Sequence, residues 1–257
     1  MAYVNLYKPS PAPGPTWGPD PYDINFVFDI DPKYLENDKV KVTPFVPAKH
    51  AEAYWKHSKD HPELYRFLPW DFLTIDDLLA KLETWRLDPT WLTLVIIDKT
   101  RKSDDPTYLA SEGGGIAGMV ALIRSSALHL TTEIGAVTIL PPFQRTHVTT
   151  NMVGIILQYC FASPSAERPG LGIRRLQWSA HPANAASARV AEKFQFVREG
   201  SMKWTWVVPE GKEGAVLARE GELPGRGSAM YAMCWDDWEG GTKDAAIRLM
   251  DRKRPSG

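Results

Sequence analysis

The sequence predicts an α/β chain, a mixed sheet with helices on both faces, preceded by an arm and closed by a helix. Three observations carry this. Short apolar runs of strand length recur from residue 39 onward, the strongest at 91–98. Two helical stretches separate the first such run from the second. Between residues 133 and 200, strand and helix alternate, and such a pattern needs a sheet covered by helices.

Residues 1–38 read as an arm. Pro9, Pro11, Pro13, Pro15, Pro19 and Pro21 favour extended or turning backbone. Tyr3, Leu6, Tyr7, Trp17, Tyr22, Phe26, Val27 and Phe28 are too apolar for a free linker, so the arm is expected to pack on a domain formed by residues 39–257. Residues 39–45 alternate like a first strand. Pro47 precedes a helix over 48–57, and 64–70 form a loop or short helix. Thr74 is a good N-cap, with Asp76 and Asp77 in the first turn, for a helix through Arg86. Residues 91–98 are a strongly apolar strand, 100–111 a charged turn and 114–124 a strand that begins with glycines. Ser125, Ser126 and Ala127 turn the chain into a strand over 128–140.

Beyond residue 140 a polar turn leads to a helix over 151–161, a strand over 174–180 and an amphipathic helix ending near Phe194. Residues 196–208 and 228–235 are strands around a glycine-rich charged loop, which suits a hairpin. Residues 236–252 read as a terminal helix followed by a basic tail.

Bulk properties narrow the function. The chain has 257 residues, enough for one full core plus an extension. A net charge of -1 gives no global field toward nucleic acid or an acidic membrane, so neither is an expected partner. No basic region followed by a long apolar stretch marks a signal peptide, and no apolar run reaches the roughly 18 residues of a membrane span. The two cysteines, Cys160 and Cys234, are read as structural thiols in a reducing compartment, which places the chain in the cytoplasm. Six histidines occur without metal-ligand spacing, so no zinc site is expected.

The turn before the 151–161 helix is the first candidate site. A helix N-terminus offers free N–H donors and a positive dipole end to an anion. Arg145 and His147 could add charge there, and Thr146, Thr149 and Thr150 add hydroxyls. The second candidate is Asn184 and Ser187 in Asn-Ala-Ala-Ser-Ala-Arg-Val-Ala-Glu-Lys-Phe-Gln-Phe. Together these segments resemble the acetyl-CoA-binding half of the Gcn5-related N-acetyltransferases (GNAT family), in particular the RimJ/RimL type. The resemblance covers residues 39–235. Its most specific part is the second segment, similar to the family's Asn-x-x-Ser-x-x-Val-x-Glu-Lys-x-Gly-Phe, with Gln195 in place of the glycine.

The resemblance implies a GNAT-like acyl-CoA N-acyltransferase fold and acetyl-CoA as co-substrate, with no metal. It implies that Gln144, Arg145, Thr146, His147, Val148, Thr149 and Thr150 form the pyrophosphate turn. The family usually has glycines where His147 and Thr149 stand. A threonine hydroxyl can itself donate to phosphate, whereas the histidine must turn away or donate to the anion. Pantetheine would lie along Val137, Thr138 and Ile139, where two strands part, with Asn184 and Ser187 supporting it.

Acetyl transfer to an amine needs a proton acceptor for the ammonium and a proton for the leaving thiolate. Glu133, in Glu-Ile-Gly-Ala, resembles the branch's Glu-Ile/Leu-Gly-Tyr and would be the base. A tyrosine acid is not evident, so Ser179, Ser187 or water would protonate the thiolate. Leu64-Tyr65-Arg66-Phe67-Leu68-Pro69-Trp70 is similar to another segment of this branch. Tyr65 and Trp70 would therefore wall the acceptor pocket, and Trp178, a strand tryptophan read as packing or cleft wall, would join them.

The acceptor would be a small-molecule amine or a peptide N-terminus. Two other readings stay open at this point: a GNAT-fold coenzyme A-binding protein without efficient catalysis, and an interaction module. In the latter, the arm and the terminal helix would make a homodimer or partner surface.

Overall fold

The computed structural model describes residues 3–101, 108–216 and 219–252. Its centre is an eight-stranded mixed sheet in the order β1-β2-β4-β5-β6-β8-β7, with a short β3 paired to β4. The strands are β1 (Val40–Pro44), β2 (Leu92–Asp98), β3 (Tyr108–Leu109), β4 (Gly114–Ser126), β5 (Thr131–Ile139), β6 (Arg175–Ala180), β7 (Val197–Val207) and β8 (Gly225–Cys234). Every pairing in this sheet is antiparallel except β5 with β6.

Before β2 come helices α1 (Pro47–Ser58) and α2 (Ile75–Arg86). Proline opens α1, where its missing N–H is not needed. Thr74 caps α2 in a reciprocal box. The Asp77 N–H donates to Thr74 Oγ1 at 3.1 Å and the Thr74 N–H donates to Asp77 Oδ2 at 2.8 Å. Leu78, Leu79, Leu82 and Trp85 form the buried stripe of this helix.

Helix α3 (Val148–Phe161) joins β5 to β6, and α4 (Ala185–Lys193) joins β6 to β7. The chain then makes a helical turn, α5 (Trp235–Asp237), a wider turn over Trp238–Thr242 and α6 (Lys243–Asp251). Helix α6 packs on α3 at Gly154, where an added Cβ would lie 2.2 Å from the Met250 sulfur. Ile24, Phe26, Phe28, Ile30 and Tyr34 of the arm pack against the core, whereas Tyr3, Val4, Leu6 and Tyr7 are exposed.

Several boundaries differ from the sequence expectation. The turn between β4 and β5 centres on residues 127–130 rather than 125–127, because Ser126 still pairs with Thr131 and Leu130 takes a left-handed φ of 51°. Helix α3 begins at Val148, so Thr149 and Thr150 belong to its first turn and not to the loop before it. The terminal helix is interrupted, since Gly241 has φ 127°, outside helical geometry. Part of the charged turn, 102–107, and the basic tail from 253 lie outside the described residues.

Candidate active site

Strands β5 and β6 form a fork. They pair in parallel from Thr131↔Arg175 to Ile134↔Trp178 and no further. Beyond that point β6 stays with β8 to Ala180↔Ala229, while β5 stays with β4 to Gly118↔Ile139. Residues 135–139 therefore have a strand neighbour on one edge only, and backbone groups on the other edge need partners. A bulge accompanies the parting. Ala136 and Val137 both lie opposite Val120, and Ala136 is pushed to φ 52°. Thr138 is buried, with Val137 and Ile139 half-buried on the opposite side of the strand.

The open end of the fork leads to the N-terminus of α3. Gln144 reaches back, its Nε2 donating to Ile139 O at 3.0 Å. Arg145 is exposed with φ 58°. Thr146 Oγ1 donates to Phe143 O at 2.6 Å and accepts from the Val148 N–H at 3.3 Å. His147 is the N-cap residue, but its ring turns aside, with Nε2 3.2 Å from Asp98 Oδ1. Burial pushes the Asp98 carboxyl up, yet hydrogen bonds from His147 and Thr100 outweigh this and hold it below its ordinary range. Lys193 Nζ of α4 donates to Thr150 Oγ1 at 3.1 Å, bringing a cation to the first turn of α3.

At the closed end of the fork stands Glu133, 1% exposed. Its Oε2 accepts from Arg124 Nη1 at 2.9 Å and its Oε1 accepts from Ser179 Oγ. Directly opposed residues share a sheet face, so Glu133, Gln177 and Ser179 lie together. Ile134 and Trp178 lie on the other face, which α4 covers: Trp178 Nε1 donates to Ser187 Oγ at 2.9 Å and the indole packs on Phe196. Asn184 Oδ1 accepts from the Ser187 N–H at 3.1 Å as the α4 N-cap. The structure therefore brings Ser179 to Glu133 and separates Ser187, Asn184 and Trp178 from them by the thickness of the sheet.

The Glu133 face is roofed by two loops. Lys212 Nζ donates to Tyr65 O, Trp70 O and Asp71 Oδ1 at 2.8, 3.0 and 2.6 Å, and Arg66 pairs with Glu213. Tyr65 is buried, with its hydroxyl 3.1 Å from that of Tyr54, and burial raises both phenols above their usual pKa. Trp70 packs edge-on against Trp85, Trp91 and Trp206.

Trp206, whose sequence reading is packing or cleft wall, shares this face with His181 and Arg226, which sequence reading missed. His181 follows Ser179 by two residues, the period of a strand face, and that spacing was the available signal. Cys160 is fully buried, which pushes its thiol pKa well up, as for a structural cysteine. Cys234, Asp236 and Asp237 cluster within 4.8 Å, but Asp237 Oδ2 is committed to the Cys234 N–H.

Comparison with known proteins decides the family. The acetyltransferase (GNAT) domain matches residues 39–197. This chain belongs to the GNAT acetyltransferase family. A GCN5-related N-acetyltransferase from Brucella melitensis shares 25% identity with this GNAT chain at TM-score 0.64, covering 84% of each chain. Mycobacterium smegmatis RimJ, solved with CoA-disulfide, shares the fold at 14% identity and TM-score 0.59, over 81% of this chain and 88% of its own. The microcin C7 self-immunity acetyltransferase MccE, solved with acetyl-CoA and AMP, does so at 18% identity and TM-score 0.55, over 77% and 93%. No curated protein matches the sequence. Among the described residues no helix is long and apolar enough to cross a membrane.

Proposed function

We propose that this GNAT domain transfers the acetyl group of acetyl-CoA to a primary amine by direct attack. The observation that carries the proposal is the fork itself. It places a strand edge without a strand neighbour (135–139) between a helix N-terminus and a buried carboxylate. The first turn of α3, with Arg145, Thr149, Thr150 and nearby Lys193, fits a pyrophosphate. His147 does not obstruct it, because its ring is held by Asp98. The open edge of Val137, Thr138 and Ile139 suits the amides of pantetheine, with Asn184 and Ser187 on the α4 side.

Acetyl-CoA supplies an activated thioester, and the rest is done by side chains. Glu133 would attract the ammonium and receive its proton, directly or through water, as the amide C–N bond replaces the C–S bond. Arg124 fixes the carboxylate, and Ser179, hydrogen-bonded to it, would return a proton to the thiolate. Ser187, held by Trp178 on the other face, serves the slot better than proton transfer.

The RimJ/RimL-type reading rests on the sequence segments around Glu133 and Asn184. We read residues 39–257 as the catalytic unit and 1–38 as its arm.

A second reading, coenzyme A binding with little catalysis, is favoured by one observation: both oxygens of Glu133 already have partners. Thiol release from acetyl-CoA across a panel of primary amines separates the two. Amine-dependent release supports the enzyme. Binding of acetyl-CoA without release from any amine supports the sensor.

A further inference from the structure

The roofed face beyond Glu133 is rich in buried donors that have no acceptor. Trp70 Nε1, Trp206 Nε1 and Arg226 Nε are all buried without a hydrogen-bond partner among the described residues. All of these are N–H donors by chemistry. Beside them, His181 is a donor by tautomer. The Ala183 N–H donates to His181 Nδ1 at 3.1 Å, so the neutral ring carries its proton on Nε2. Burial, reinforced by Arg226, lowers the His181 pKa against the pull of Glu213, whose backbone hydrogen-bonds the ring. Unpaired buried donors are rare, because each forfeits its hydration. Several together on one face call for an acceptor-rich group.

These donors belong to one neighbourhood. Trp206 and Arg226 are direct cross-strand partners, with the guanidinium 5.9 Å from the indole centroid. The Trp70 ring lies 6.3 Å from that of Trp206. Arg124 stacks over Trp206 at 4.8 Å. His181 stacks on Phe67 at 5.2 Å, under Gly214, where a Cβ would come within 2.5 Å of the ring.

The local charge does not cancel. Lys212 is matched by Asp71, and Arg66 by Glu213. Arg124 and Arg226 both face the carboxylate of Glu133. Burial and the neighbouring Arg124 lower the Arg226 pKa to about 10, against the pull of Glu133, so the guanidinium remains charged at neutral pH. Its Nη1 is spent on Gly227 O and Ser228 Oγ at 3.0 and 3.1 Å, which orients the fork and leaves Nε–H free.

We infer that the amine acceptor also carries a carboxylate, and that Arg226 Nε–H with the indole N–H groups of Trp206 and Trp70 receives it. This rests on the acetyltransferase reading for the amine, but the anion site stands or falls separately. The acceptor would then be of amino-acid type, with its ammonium toward Glu133 and its carboxylate toward Arg226. A protein N-terminus, whose first carboxyl is an amide, would not satisfy the site.

The test uses the full chain, with and without coenzyme A, and reads indole N–H resonances by heteronuclear NMR. The probes are N-acetylglycine, N-acetyl-L-leucine and N-acetyl-L-phenylalanine, each compared with its uncharged primary amide. A carboxylate probe should shift the Trp206 and Trp70 indole signals, and its amide should not. Trp206→Phe, which keeps the ring and loses the donor, and Arg226→Gln should each weaken that binding about tenfold or more. Failure of every carboxylate to shift these signals, or equal binding of acid and amide, overturns the inference. Carboxylate binding in a protein that releases no thiol from acetyl-CoA with any amine would uphold the anion site and sink the enzyme reading instead.

Discussion

Arg124 Nη1 lies 2.9 Å from Glu133 Oε2, tying the one buried carboxylate at the closed end of the fork to an arginine that is itself 40% exposed. A buried carboxylate needs such a partner, since an unpaired charge out of water would be neutralised or expelled. The pair fixes the orientation of Glu133 and leaves its other oxygen to Ser179. Positioning and charge are therefore supplied by different residues, and they can be separated by substitution.

Glu133→Gln keeps the shape and can still accept from Arg124, but it cannot take a proton. Turnover should fall by about 100-fold or more, the usual contribution of a positioned base. The acetyl-CoA dissociation constant, read by calorimetry, should stay nearly unchanged. Equal turnover of variant and wild type across the pH range would remove Glu133 from the mechanism.

The link between His147 and Asp98 predicts a pH-dependent stability. Asp98 is held below its ordinary pKa, so its contribution is present above the unfolded value of a carboxyl and is lost as pH falls through the folded value. His147→Ala should cost about 1 kcal/mol at neutral pH, a hydrogen bond to a carboxylate, and less in acid where Asp98 protonates. Urea denaturation of both proteins at several pH values checks this. A difference that grows toward acid would contradict it.

Lys212 donates to two backbone carbonyls and Asp71 with a side chain only 8% exposed, joining the loop after β7 to the loop before α2. Lys212→Met should loosen both loops, raising KM for the amine while leaving acetyl-CoA affinity unchanged. Hydrogen exchange in residues 62–72 should quicken. Unchanged exchange there, with unchanged KM, would show that the roof does not depend on this lysine.

Much of this fold was legible because local chemistry announces it. Thr74 with Asp77 marks the start of α2, and Asn184 with Ser187 marks the start of α4, each within four residues. The start of α3 was less visible. Its N-cap is a histidine whose ring leaves the helix for Asp98, 49 residues earlier, so no capping signal stands in the sequence. The parting of β5 and β6 was expected from the family resemblance, whereas the donor cluster was not. Trp70, His181, Trp206 and Arg226 come from four separate segments, and only the cross-strand register of Trp206 with Arg226 and the loop contacts made by Lys212 gather them. Periodicity reports which face a residue occupies, not which distant residue shares it.

The most direct test of the central claim is calorimetric titration of acetyl-CoA into the wild-type protein and into Thr149→Glu. The added carboxylate sits in the first turn of α3, where it complements the helix dipole and should leave stability unchanged or raise it slightly. It should repel a pyrophosphate at the same place. Binding of about micromolar strength to wild type, weakened about tenfold or more in the variant while the melting temperature holds, is the predicted result. Wild-type protein that gives no binding heat, or a variant that binds as tightly as wild type, would contradict a coenzyme A site at the mouth of this fork.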